Sequence, residues 1–339
     1  METKAIRKTI ACLAVILVVS IFCVGDVLAW NWGVHAYIDD QLGKNGPLRN
    51  MNEIYGGVGP DVFNYMFDDP QLREYLFQKT HEDFMGLWKK ACTPLGKAEA
   101  YGFVSHNELW GADHTAHIQA RTPGIPGGYV IAKAKEIQLA ANSGAIKLPD
   151  ESTLPPLEAF LPEGLDPDTE SMIALVFYHN LVEAAVDILL IRDHPDIGKK
   201  LASSAILRSP EFPLLLVRAY AKDVAQAKGV PYFEAAKLIT ASEKEFRKSV
   251  VLYGQALMQA PEDRNGAIQA LAEQMAEIAV AYLAAYRITL APGLVAQLPA
   301  LAYAYINVAM GFCASDYAPE IEATVEFVKE GLESHHIAY

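Results

Sequence analysis

Five short stretches carry the side chains that could do chemistry. GFVSHNELWGADHTAHI (102–118) holds His106, Asp113, His114 and His117, and FYHNLVEAAVD (177–187) holds His179 and Glu183. FQKTHEDFM (77–85) holds His81, GGVGPDVFNY (56–65) holds Asp61, and VLAWNWGVH (27–35) holds Trp30 and His35. His179 and Glu183 are spaced i, i+4, so a helix projects both from one face. Leu175, Val176 and Val186 share that face, where an unpaired imidazole and carboxylate are costly. The two side chains therefore either hydrogen-bond to each other or hold a metal ion together, as helices that bind Zn²⁺ do one turn apart. In 102–118, a single helix would place His106, Asp113 and His117 within about 20° of one stripe, with His114 off to the side. Such a stripe is either a rail of metal ligands or a solvated polar face, and the apolar neighbours Phe103 and Trp110 favour the rail. Gly111 is the position where one continuous helix would break. Asp61 follows Gly59-Pro60, at a turn or a helix start, and His81 sits in a short helical or loop stretch.

The elements that must position these residues read as helices. TESMIALVFYHNLVEAAVDILLIRD has helical apolar spacing and start signals over 166–169. YFEAAKLITASEKEFRKSVVLYGQALMQA, GAIQALAEQMAEIAVAYLAAYRITL and EIEATVEFVKEGLES follow the same pattern, and alternating strand patterns are nearly absent. The expected fold class is all-α, a multi-helix domain with additional C-terminal helices. Pro- and Gly-rich 121–128 and 148–167 read as connectors. The stretch 290–315 has no charged residue until its end; Pro292, Pro299, Gln297 and Asn307 argue for buried helices over a membrane span. A surface that dips into lipid is the minority reading.

Lys4, Arg7 and Lys8 precede an apolar run, then DVLA with Val27 and Ala29 at the small-residue positions, so 1–29 reads as a signal peptide. The expected destination is export, periplasmic or secreted. The remaining roughly 310 residues suffice for one large domain or two closely packed ones. The boundaries expected are a metal-binding region over 30–195 and a helical region over 196–339 packed on it. The formal net charge is -13, and loss of the leader makes the chain one charge more negative. That argues against nucleic acid as a standing partner and against simple electrostatic attachment to anionic lipid. Cys92 and Cys313 remain after the leader is removed; export permits a disulfide, but nothing in the sequence brings them together.

In order and type, the set resembles the superfamily of zinc-dependent phospholipases C and single-strand-specific nucleases. That family consists of helical, secreted hydrolases with three zinc ions, and the resemblance spans residues 30 to about 190. The matching residues are Trp30, His35, Asp61, His81, His106, Asp113, His117, His179 and Glu183. The Trp30-to-His35 interval is similar to the nuclease branch, and the terminal Glu183 to the lipase branch. The chain departs once: Trp110 stands where the family has its middle Asp, and Asp113 comes one turn later. The resemblance implies one zinc on Asp61, His81, His106 and Asp113. It implies a second on Trp30, His35 and a bridging Asp113, and a third on His117, His179 and Glu183. It also implies that cleavage after Ala29 frees the Trp30 amine, which titrates near neutral pH and can bind metal. Asp61 is the expected general base, and Asp187 and Glu108 are expected to orient ligands. The implied reaction is phosphoester hydrolysis. The acidic charge and uncharged C-terminal stretch favour a phospholipid or related phosphoester, met in transient membrane contact. A nuclease, with Phe63, Tyr65 and Phe84 stacking bases, and a non-enzymatic metal-binding protein with a degenerate site are the alternatives.

Overall fold

The computed structural model describes residues 30–43, 46–66, 69–148, 151–161, 166–285, 290 and 292–339; the leader expected over 1–29 lies outside them. The fold is all-α, with no strand among the described residues and an isolated bridge between Lys147 and Thr153. In chain order the helices are α1 (Trp32–Leu42), α2 (Pro47–Val58), α3 (Pro70–His81), α4 (Met85–Lys90) and α5 (Pro94–His106). They continue with α6 (Tyr129–Asn142), α7 (Pro167–Asp193), α8 (Ile197–Leu207), α9 (Glu211–Lys228) and α10 (Tyr232–Gln259). α11 (Arg264–Ala285), α12 (Pro292–Val295), α13 (Leu298–Cys313) and α14 (Tyr317–Ser334) complete the set. A 3-10 segment (Gly59–Tyr65) follows α2, a π-helical turn (His114–Ile118) precedes α6, and a 3-10 turn (Leu157–Phe160) precedes α7.

Local chemistry explains the starts. Proline opens α2, α3 and α5, where its missing N–H would have had no helical partner. The Asp69 carboxylate accepts from Leu72 N, and Thr93 Oγ1 accepts from Gly96 N, capping α3 and α5. The long periodic stretches fold as expected into α7, α10, α11 and α14. Residues 121–128 form a non-helical connector.

α7 is the central element. Its segment Glu170–Asp193 is long and apolar enough to cross a membrane, but 78% of its apolar window is buried within the protein. α1, α6, α11, α13 and α14 pack against it, so its hydropathy is that of a core helix. α2 lies along α5, and α8 along α10. One hydrophobic core runs from Trp30 to Ile337, so residues on both sides of position 195 share it. In the uncharged stretch, α13 buries Tyr305, Ile306, Ala309 and Cys313 and keeps its other residues partly accessible. Cys92 is exposed and Cys313 buried, and neither forms a disulfide.

Candidate metal centre

The site is assembled from helix ends. α1 begins with Asn31, whose side chain accepts from Trp32 N. The next two amides, Gly33 and Val34, donate to the Asp187 carboxylate of α7 at 2.9 and 2.8 Å. Asp187 also accepts from Tyr253 Oη at 2.8 Å, so a carboxylate satisfies the first turn and complements its dipole. A Cβ on Gly33 would lie 2.5 Å from Asp187 Cγ; only glycine permits this approach. His35 is thereby held within the first turn of α1. Trp30, 1% exposed, donates from Nε1 to Thr115 Oγ1 at 2.9 Å and stacks on Tyr129.

Asp61 lies in the 3-10 segment, which Ser242 of α10 holds by donating to Val62 O at 2.6 Å. The Trp32 indole donates to Asp61 Oδ2 at 3.0 Å and Asn64 Nδ2 to Oδ1 at 3.1 Å. His81 and His106 are the last residues of α3 and α5.

The expected single helix through 102–118 does not form. α5 ends at His106, and Asn107 Oδ1 accepts from Leu109 N and Trp110 N to build a turn. A Cβ on Gly111 would sit 2.5 Å from Asn107 N and O and from Ser105 O, so the break falls where glycine allows it. The chain then re-enters helix at Ala112 and passes into the π turn, where Gln119 N donates to His114 O. The three-residue rail is thus corrected. His106 and Asp113 meet because the chain folds back, whereas His117 turns to a different group.

Two groups result. In the first, Asp113 Oδ1 lies 3.4 Å from His35 Nε2, and Oδ2 lies 3.0 Å from His106 Nε2 and 3.7 Å from His81 Nε2. Asp61 Oδ1 is 3.6 Å from His81 Nε2. In the second, His117 Nε2 and His179 Nε2 are 3.1 Å apart, and Glu183 Oε1 is 3.4 Å from His179 Nε2. The ring tautomers follow from the other nitrogens. His106 Nδ1 is 2.7 Å from Gly57 O, and His81 Nδ1 is 3.1 Å from Phe77 O. A carbonyl only accepts, so His106 Nδ1 donates to Gly57 O, while His81 Nδ1 also meets Thr80 Oγ1 at 2.8 Å. The two Nε2 atoms face each other at 3.2 Å. His117 Nδ1 meets Glu108 Oε1 at 2.6 Å, which sets the same tautomer. Neither oxygen of Asp113 or of Glu183 has a hydrogen-bond partner, and both residues are fully buried. Converging ring nitrogens and orphaned carboxylate oxygens fit a bound cation.

The electrostatics agree. Burial pushes the Asp113 and Glu183 carboxyls well above the usual carboxylate range; neighbouring carboxylates add to it, and His81 and His117 oppose it at Asp113. Burial holds His35 and His179 well below the usual imidazole range, with neighbouring histidines adding to it. Burial also lowers His106, against the opposing pull of Asp61. Burial would raise Asp61 too, but the His81 hydrogen bond, the His106 and His81 charges and the Trp32 indole outweigh it, leaving its carboxyl below the usual range. Without a cation the Asp113 and Glu183 carboxyls resist the ionised state that a metal stabilises, whereas the lowered histidines already favour the neutral form that binds one.

Trp30, His35, Asp61, His81, His106, Asp113, His117, His179 and Glu183 are all buried or nearly so, and neither ring nitrogen of His35 has a hydrogen-bond partner. Glu108 orients His117 as expected; Asp187 instead holds the start of α1. His114 bonds through Nδ1 to Glu108 O and faces Phe327, outside both groups. Trp110 stacks on His335. Of the aromatics expected at a cleft, Tyr65 lines one beside Asp61, whereas Phe63 packs on Tyr220 and Phe84 on Trp110 in the core. Sequence reasoning missed Thr115, Tyr253, Ser242 and Thr324, which bonds Thr115 at 2.8 Å. Single hydroxyls on helices carry no distinguishing pattern. No family model, curated protein or solved structure matches the chain.

Proposed function

We propose that the chain is an exported, zinc-dependent phosphoester hydrolase of phospholipase C-like type. The observation that carries the reading is the facing pair of Nε2 atoms on His81 and His106, with Asp113 offering one oxygen to them and the other to His35. One zinc fits Asp61, His81, His106 and Asp113. A second fits His35 and Asp113 with the Trp30 terminus, and a third fits His117, His179 and Glu183. Zinc held there supplies Lewis-acid polarisation of a phosphoryl oxygen and activates water near neutral pH. Asp61 stays ionised and is fixed by Trp32 and Asn64, which suits it to accept a proton from attacking water. Glu108 fixes the His117 tautomer.

A mostly apolar cleft beside Asp61 and the negative net charge favour a lipid-like phosphoester over a nucleic acid. Elemental analysis of the chain beginning at Trp30 should find two to three zinc ions. Turnover should favour a chromogenic phosphocholine ester over single-stranded DNA. Less than one zinc per chain after zinc-replete refolding, or hydrolysis of DNA alone, would sink the reading. Two residues added before Trp30 should lower both zinc content and turnover, because the amine becomes an amide. Equal zinc and turnover from the extended chain would remove Trp30 from the ligand set.

A further inference from the structure

The cleft beside the metal centre is built by α7, which also carries His179 and Glu183, together with α11 and α13 from beyond the ligand-bearing stretch. It has a volume of about 200 Å³ and shares Trp30, Trp32 and Asp61 with the centre. Its walls are carbon: Ile173 and Phe177 from α7, Ile278 and Ala279 from α11, and Leu301 and Ala302 from α13. The polar side chains that reach it have already committed donors to the protein. Asn64 donates to Asp61, Asn180 to Val176 O, Gln274 to Ser249 O, and Arg73 to Tyr282 Oη, over whose ring it also lies. Beyond the amide oxygens of Asn64, Asn180 and Gln274 the walls offer a sugar or a base few partners for the water hydrogen bonds it would surrender along the carbon-lined length. A hydrocarbon chain surrenders none and gains burial.

We propose that this cleft takes up one hydrocarbon chain of the phosphoester substrate, inside the protein, while the phosphate lies at the metal centre. The inference rests on the hydrolase reading for the head group alone; the chain site stands on the cleft. The continuity of the carbon walls with Asp61 and Trp30 selects this occupant, since an ester held at the centre must direct its substituent along that opening. The substrate is then a single-tailed amphiphile, taken up as a monomer and selected by tail length. Each added methylene should tighten binding about fourfold until the tail fills the cleft.

The test uses n-alkylphosphonates of increasing length as non-hydrolysable probes, each below its micelle-forming concentration. Affinity is measured by calorimetry on the zinc-loaded chain and on the same chain after chelation. The expected result is a rise of about fourfold per methylene followed by a plateau, with the same slope in both forms. Ala279→Trp and Ala302→Trp, which fill the cleft, should flatten the series while the far-UV circular dichroism of the folded chain is kept. Ala279→Leu and Ala302→Leu, smaller additions, should shorten the length at which the plateau begins. A flat series in the unaltered chain overturns the proposal, as does an unchanged slope in all filled variants that remain folded. A length dependence that persists where no phosphoester is hydrolysed overturns the hydrolase reading and keeps the chain site. Hydrolysis without length dependence does the reverse.

Discussion

Asp113 is the residue on which the metal reading turns. Its two oxygens face different histidines, it is fully buried, and no hydrogen bond satisfies either oxygen. In Asp113→Asn, a neutral amide replaces a charge shared between two cation positions. Bound zinc should fall by at least one ion per chain and turnover by more than about 100-fold, beyond the usual loss from outer partners of ligands. His114→Ala should leave the zinc count unchanged, because His114 faces Phe327 and the Glu108 carbonyl. Zinc lost from His114→Ala and kept in Asp113→Asn would reverse the assignment. That these side chains would gather in the interior was legible in the sequence because His, Asp and Glu are costly in apolar surroundings unless they meet partners. The way Asp113 reaches His106 was not, because helical angles assume an unbroken helix, and Asn107 and Gly111 break it.

At the scale of elements, the site depends on how closely α1 meets α7 and α2 meets α5. Gly33→Ala should force the Asp187 carboxylate away from the first turn of α1 and shift His35 with it. A loss of about 1–3 kcal/mol in unfolding free energy is expected, with weakened zinc binding; unchanged chemical denaturation would show that Asp187 moves freely. Along α5, Glu99 is fully buried with no hydrogen bond to either oxygen. Burial pushes its carboxyl up to about 9, opposed by Arg208 and assisted by Glu211 and Glu243. The native state therefore keeps a proton that the unfolded chain releases above its ordinary value of 4.5. Bound protons are then more numerous in the native state, so this group's contribution to stability falls as pH rises through that window, by about 1.4 kcal/mol per unit. Glu99→Gln mimics the protonated form and should gain stability over the unaltered chain progressively from pH 5 towards pH 9. Parallel pH profiles for the two proteins would show that Glu99 is ionised in the fold. α10 and α14 were legible from a 3.6-residue periodicity that burial on one face imposes, whereas α7, packed on several sides, and α11 were legible from long runs of helix formers without Gly or Pro breaks. The π turn and the 3-10 segment were not, since each is one or two turns long and leaves no period to read.

Across the whole molecule, residues far beyond the ligands hold them in place. Tyr253 completes the Asp187 cap, Ser242 secures the segment bearing Asp61, and Thr324 backs the Thr115 hydroxyl that receives Trp30. The Glu320 carboxylate accepts from Arg121 N and Thr122 N, tying α14 to the connector after the π turn. Such contacts join positions that have no pattern in common, so the role of 196–339 could not be read from composition or periodicity. The proposed metal would therefore be linked to the fold. The candidate ligands come from α1, the 3-10 segment, α3, α5, the turn after α5 with its π turn, and α7, and a cation binding them would bind the folded chain alone. Zinc at 100 times its dissociation constant should add about 2.7 kcal/mol of stability, or roughly 4 °C in Tm for a chain of this size. Chelation should lower Tm by that amount, and Tm should rise with the logarithm of free zinc. The slope should be reduced in Asp113→Asn, which removes the shared charge, and kept in Ala279→Trp, which alters only the apolar cleft. A Tm independent of free zinc would mean that the buried histidines and carboxylates of α1, α3, α5 and α7 are held by the apolar core without a cation.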